Sequence, residues 1–195
     1  MSNMDHKEVT VIEGKGGKFR WAAISAMLLA IGAILRLVSP SIAGISPNWI
    51  IAMYCLAIIL TKPSLGRAAG IGLVAGAVCL ATSKSIFPYG NLISETVGAV
   101  VCAILVNAGF NVRLGSLNLK PALCTMVGTL CSGFTFVTIA KLALSLPDKV
   151  YFYGMLPVVL TVTVINTVVA QLLYFPAQRI FGGETSQSVT RQKVQ

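Results

Sequence analysis

Apolar residues in this chain come in long runs, separated by short polar breaks that carry proline or glycine. The first run covers 19–38, about long enough to cross a hydrocarbon core at 1.5 Å per residue. A turn-rich loop follows over 39–47, with Pro40, Gly44 and Pro47. A shorter run, 49–60, ends at Lys62 and Pro63, and a glycine- and alanine-rich run occupies 66–82. The fourth run, 91–108, is followed by a polar turn over 109–119. The fifth covers 121–146, Pro147, Asp148 and Lys149 make a tight turn, and the sixth covers 151–175. This pattern predicts an all-α integral membrane protein of six transmembrane helices over 19–181, the second and third of them short. The polar stretches 1–18 and 182–195 are expected to be flexible cytoplasmic tails.

Composition sharpens that reading. The chain has 195 residues, 55% hydrophobic and 11% charged, where a soluble domain carries about 25% charged residues. The bulk of it therefore belongs in a lipid bilayer. The net charge of +9 would fit a nucleic-acid partner, but its distribution points elsewhere. Lys7, Lys15, Lys18 and Arg20 precede the first helix. Lys62 and Arg67 lie between the second and third, Arg113 and Lys120 between the fourth and fifth, and Arg179, Arg191 and Lys193 after the sixth. All share one face. The opposite loops hold only Lys84 and Lys149, with Arg36 and Lys141 at or near helix ends. The positive-inside rule then puts both termini in the cytoplasm of a multi-pass cell-membrane protein and leaves no charge calling for nucleic acid.

The five cysteines, Cys55, Cys79, Cys102, Cys124 and Cys131, fall within apolar runs without CxxC spacing. They read as small packing residues rather than disulfides or metal ligands. His6 is the sole histidine and lies in the polar N-terminus. No catalytic constellation, metal site or cofactor site is expected, and no GxxxxGK[ST] phosphate loop is present, so any ATP dependence has to come from other chains.

Glu95 is the acidic residue inside an apolar run, about one turn into the fourth helix. Burying an ionisable group at membrane depth costs about 2.5–3.5 kcal/mol on insertion scales, so a functional role is its default reading. The alternative is that it complements the positive end of its own helix. Small residues make two further patterns. Ala22, Ala26 and Ala30 recur at spacings of four on the first helix, and Gly66 with Gly70 and Gly72 with Gly76 repeat that spacing on the third. Such stripes let helix backbones approach closely in lipid. The glycines fit packing within the bundle, and the alanine stripe fits either that or docking of a separate subunit.

The alanine stripe, six helices in under 200 residues and the order of segments resemble the substrate-binding S components of energy-coupling factor (ECF) transporters. The tryptophan-transporter-like branch is the closer likeness. It is carried by Gly32-Ala-Ile-Leu, Ser46-Pro-Asn, Asn91-Leu-Ile, Gly128-Thr-Leu-Cys-Ser-Gly, Leu156-Pro and Asn166-Thr. The resemblance implies an S-component bundle whose pocket lies near the outer face and which performs no chemistry itself. It also implies a membrane coupling subunit and two ATP-binding subunits as partners, with Ala22, Ala26 and Ala30 as the docking surface. Asn48 and Ser94 stand where that branch tends to carry acidic residues, and Glu95 where it tends to carry a basic one, so the charge near the ligand is rearranged here.

The orientation gathers Arg36, Asn48, Trp49, Tyr89, Asn91, Ser94, Glu95 and Lys141 toward one end of the bundle, with Asn166 deeper in the sixth helix. Cations or amides for a carboxylate, an acceptor for an ammonium, and aromatic faces suit a zwitterionic aromatic amino acid. Duller roles stay open. Arg36 and Lys141 near helix ends fit snorkelling or pairing with Glu95, Trp49 an interfacial belt, Asn91 a helix cap, and Asn166 an interhelical hydrogen bond. The expected function is capture of tryptophan or a related aromatic small molecule for an ATP-driven importer. A vitamin or nucleobase-like precursor, or a stand-alone carrier, are the alternatives.

Overall fold

The computed structural model describes residues 19–39, 48–83, 85–109, 112–114 and 117–181. The two expected tails, most of the 39–47 loop and Lys84 lie outside the described residues. The elements are α1 (Arg20–Val38), α2 (Trp49–Thr61), α3 (Leu65–Thr82), α4 (Gly90–Asn107), α5 (Lys120–Leu144) and α6 (Leu156–Phe181). A two-residue antiparallel pairing, β1 (Arg113–Leu114) with β2 (Leu117–Asn118), lies between α4 and α5. A π-helical turn, Val150–Met155, leads into α6. The protein is thus a six-helix bundle, and α1, α3, α4, α5 and the stretch Val150–Phe181 are each long and apolar enough to cross a membrane.

The core of the bundle is α2. Its 13 residues are apolar on every side, which is the pattern of a helix with no solvent face. From Ile50 to Ile59 every residue is buried, against α1, α4, α5 and α6. Lys62 closes it in the left-handed conformation (φ 45°), its N–H bonded to the Ile58 carbonyl, and Pro63 prevents continuation. The third helix was expected to be short like the second. It has 18 residues, Leu65 joining the 66–82 run in its first turn, and is long enough to cross a membrane.

Close packing of α3 on α4 explains one of the two glycine pairs. A Cβ on Gly72 would lie 2.6 Å from the Thr96 Cα, and one on Gly76 would lie 2.7 Å from the Asn91 carbonyl oxygen. Only glycine permits those backbone contacts. Gly66 and Gly70 have open space around them. On α1 the buried side is Ile24, Ser25, Leu28, Leu29 and Gly32. Ala26 and Ala30 are exposed beside Met27, Ile31 and Ile34, and Ala22 is half-buried.

The sixth run extends farther than its apolar pattern suggests, through Pro176 to Phe181. The proline ring removes one helical hydrogen bond, but Tyr174 and Ala177 on either side of it are buried and hold the helix to the bundle. Arg20 donates to the Phe181 carbonyl, so α1 begins and α6 ends at the same end of the bundle. The features described next lie toward the opposite end.

Candidate functional site

Glu95 sits on the buried face of α4, 1% exposed. Taking a carboxylate out of water costs several kcal/mol unless hydrogen bonds replace the lost hydration. Three helices, α2 with its N-cap residue, α3 and α5, contribute to that replacement. Its Oε1 accepts from Asn48 Nδ2 at 2.6 Å, with Cys79 Sγ on α3 at 3.5 Å. Its Oε2 accepts from Ser132 Oγ on α5 at 3.1 Å and from Tyr54 Oη on α2 at 3.2 Å.

Asn48 occupies the N-cap position of α2, yet its side chain makes no capping bond. It is committed to the site instead. Its Oδ1 accepts from Arg36 Nη1 at 2.6 Å while its Nδ2 donates to Glu95. The neighbours fix this orientation, because a guanidinium only donates and an ionised carboxylate only accepts. Arg36 and Glu95, the two charges, are therefore linked through one neutral carboxamide. Gly98 makes room for the arrangement. A Cβ there would collide with the Tyr54 hydroxyl and lie 2.8 Å from the Ser132 Cβ.

This network borders a cavity of about 450 Å³. Arg36, Asn48, Asn91, Ser94 and Glu95 form much of its polar side, joined by Thr129 and Ser132 of α5. Phe136 and Val137 of α5, Met155, and Val158, Val159 and Val162 of α6 make its apolar wall. Apolar walls with a few convergent polar groups are the usual build of a small-ligand site. Within it, Asn91 Nδ2 donates to the Pro88 carbonyl at 2.8 Å, one turn back at the entrance to α4, and the Ser94 hydroxyl is buried.

Four expected residues lie apart from the lining. Lys141 pairs with Asp148 at 2.5 Å and stands over the Tyr151 ring, 4.9 Å from its centre. Trp49 donates its Nε1–H to Ser39 Oγ at 2.7 Å. Tyr89 is 66% exposed. Asn166 is fully buried in α6, and neither of its amide atoms has a partner among the described residues. Thr125, Thr129 and Thr167 likewise bury unpaired hydroxyls, each a cost of about 1–3 kcal/mol where nothing replaces water.

Several residues of the site were not singled out from the sequence. Ser132, Thr129 and Phe136 fall in or beside the stretch Gly128-Thr-Leu-Cys-Ser-Gly, whose small and polar residues inside an apolar helix were the available signal. Cys79 gave no such signal, since a lone cysteine among alanines and glycines looks like packing. Tyr54 is one aromatic within an apolar run, and its hydroxyl faces Glu95.

Comparison with known proteins agrees with a transport role. The family model described as "Tryptophan transporter TrpP" matches residues 18–181. A "Probable tryptophan transport protein" of Clostridium acetobutylicum is 30% identical over 161 residues, covering 80% of this chain and 90% of that protein. Proteins of the same name from Bacillus subtilis and Clostridium perfringens are each 30% identical, over 165 and 162 residues. They cover 84% and 77% of this chain, and 93% and 87% of their own lengths. No solved structure matches. On the extent of these matches, the chain belongs to the tryptophan transporter TrpP family.

Proposed function

We propose that this chain is the substrate-binding subunit, or S component, of an ATP-driven ECF-type importer, and that it captures tryptophan. The observation that carries the reading is the buried Arg36–Asn48–Glu95 chain on the wall of a mostly apolar cavity of about 450 Å³, in a family of tryptophan transporters. Glu95 supplies an acceptor for the ligand ammonium. Arg36 supplies donors for its carboxylate, and Asn48 holds the two at a fixed separation. Phe136 and the α6 valines receive the aromatic side chain.

The subunit does no chemistry. Binding here would be followed by reorientation on a membrane coupling subunit driven by two ATP-binding subunits. The exposed Ala26 and Ala30, with half-buried Ala22, offer those partners a smooth surface. Both termini are placed in the cytoplasm by the positive-inside rule, which puts the cavity at the outer end. Residues 19–181 form the membrane domain, with 1–18 and 182–195 as cytoplasmic tails.

The test is mass spectrometry of the ligand retained by detergent-purified protein, followed by calorimetric titration of Glu95→Gln and Arg36→Ala. Retained tryptophan, with affinity lowered by 10-fold or more in both variants, is expected. Unchanged affinity in both would remove the charged pair from the site. Steady tryptophan uptake by the isolated chain in liposomes without ATP would remove the S-component role.

A further inference from the structure

Threonines in this bundle follow one habit. Thr61, Thr82, Thr96, Thr135, Thr161 and Thr163 each donate to the carbonyl four residues back in their own helix, at 2.7–2.9 Å. Thr125 and Thr129 on α5 depart from it. Their hydroxyls are buried and have no partner among the described residues, although the same backbone bond is open to any helical threonine. Being four apart, they share one face of α5.

Asn166 stands opposite that face. α5 and α6 run antiparallel, and two contacts fix their register. A Cβ on Gly133 would meet Val159 Cγ1 at 2.6 Å, and the Ala122 N–H donates to Gln171 Oε1 at 3.1 Å. Between those two points, Asn166 falls level with the turn that separates Thr125 from Thr129. It too is fully buried with both amide atoms unpaired. Unpaired polar groups gathered at one level of an apolar bundle mark a place prepared for a neutral hydrogen-bonding group.

Of this group, Thr129 lines the cavity. Ser132, which donates to Glu95, lies three residues farther along α5, about 4.5 Å along the axis. The α5 side of the cavity thus carries the Ser132 donor to the Glu95 carboxylate and, about one turn deeper, the buried, unpartnered hydroxyl of Thr129. An aromatic amino acid held by its ammonium at Glu95 extends its ring toward that second position. We infer that Thr129 is the specificity-determining residue for the ring N–H of the ligand: its Oγ1, without a partner among the described residues, accepts from the indole nitrogen. This assignment rests on the reading of the cavity as an aromatic amino-acid site.

The experiment compares tryptophan with its benzothiophene isostere, in which sulfur replaces the ring N–H. Both are titrated calorimetrically into the full chain in detergent, for wild type, Thr129→Val and Thr129→Ser. Valine keeps the shape of threonine and removes the unpartnered hydroxyl, so the fold is retained, as a thermal melt would verify. Wild type and Thr129→Ser are expected to prefer tryptophan by 10-fold or more. Thr129→Val should bring the two ligands within about 2-fold, through weaker binding of tryptophan alone. If wild type binds tryptophan and the preference survives Thr129→Val, the assignment to Thr129 fails while the site stands. If wild type binds neither compound, the aromatic reading of the site fails, and this assignment with it.

Discussion

Arg36 and Glu95 carry opposite charges at the same cavity, yet they meet through the Asn48 side chain, which bonds each at 2.6 Å, with the Cys79 thiol 3.6 and 3.5 Å from them as a weaker second link. A direct pair would satisfy itself and close the space between its members. The intervening carboxamide keeps the cation and the anion apart. That separation suits a zwitterion, whose own charges need one partner each.

Asn48→Leu is accordingly expected to weaken tryptophan binding about 10- to 100-fold, the effect of losing about 1.5–3 kcal/mol, the contribution of one hydrogen bond to a charged group. Calorimetric titration of purified protein reads the change directly. Affinity within 2-fold of wild type would mean that the carboxamide does not set the charge separation.

Gly98 tests the support behind the carboxylate. Its place against Tyr54 and Ser132 leaves no room for a methyl group. Gly98→Ala should lower stability by about 1–3 kcal/mol, as overpacking in a filled core does, and should weaken ligand binding as the two hydroxyls shift off Glu95. Thermal unfolding in detergent, with and without tryptophan, would report both effects.

Lys141 provides a contrast at the same end of the bundle. It pairs with the largely exposed Asp148 and takes no part in the cavity lining. Exposed pairs contribute about 0–1 kcal/mol. Lys141→Gln is expected to leave tryptophan affinity within 2-fold of wild type and the melting temperature nearly unchanged. A 10-fold loss would place the ligand higher on α5 than Thr129.

Ala26→Leu separates capture from transport. Ala26 is exposed on α1, away from the cavity, so ligand binding by the purified subunit should be unaffected. Co-purification of a coupling subunit and tryptophan uptake by cells should both fall sharply, because a bulky side chain breaks a smooth helix face. Normal uptake would exclude this face from docking.

The helices were legible because each run of apolar residues is bounded by proline, glycine or charge. Glu95 was legible because an acid within such a run has few reasons to be there. What surrounds Glu95 was not. Tyr54, Cys79 and Ser132 come from three separate helices, and each alone has an ordinary local role as aromatic, packing residue or small helix residue. Lys141 misled in the other direction. Its partner was close at hand, since the tight turn after α5 returns Asp148 toward it, but a lone cation near a helix end resembles a ligand contact. The unpaired state of Thr129 has no sequence signature, because it depends on a rotamer.

The brevity of α2 has a consequence for the wall of the cavity. Thirteen residues make a rod of about 20 Å, set among longer neighbours in a hydrocarbon layer of about 30 Å. Asn48 and Ile51 border the cavity, so the leading end of this rod is part of its wall, among neighbours long enough to cross the whole layer.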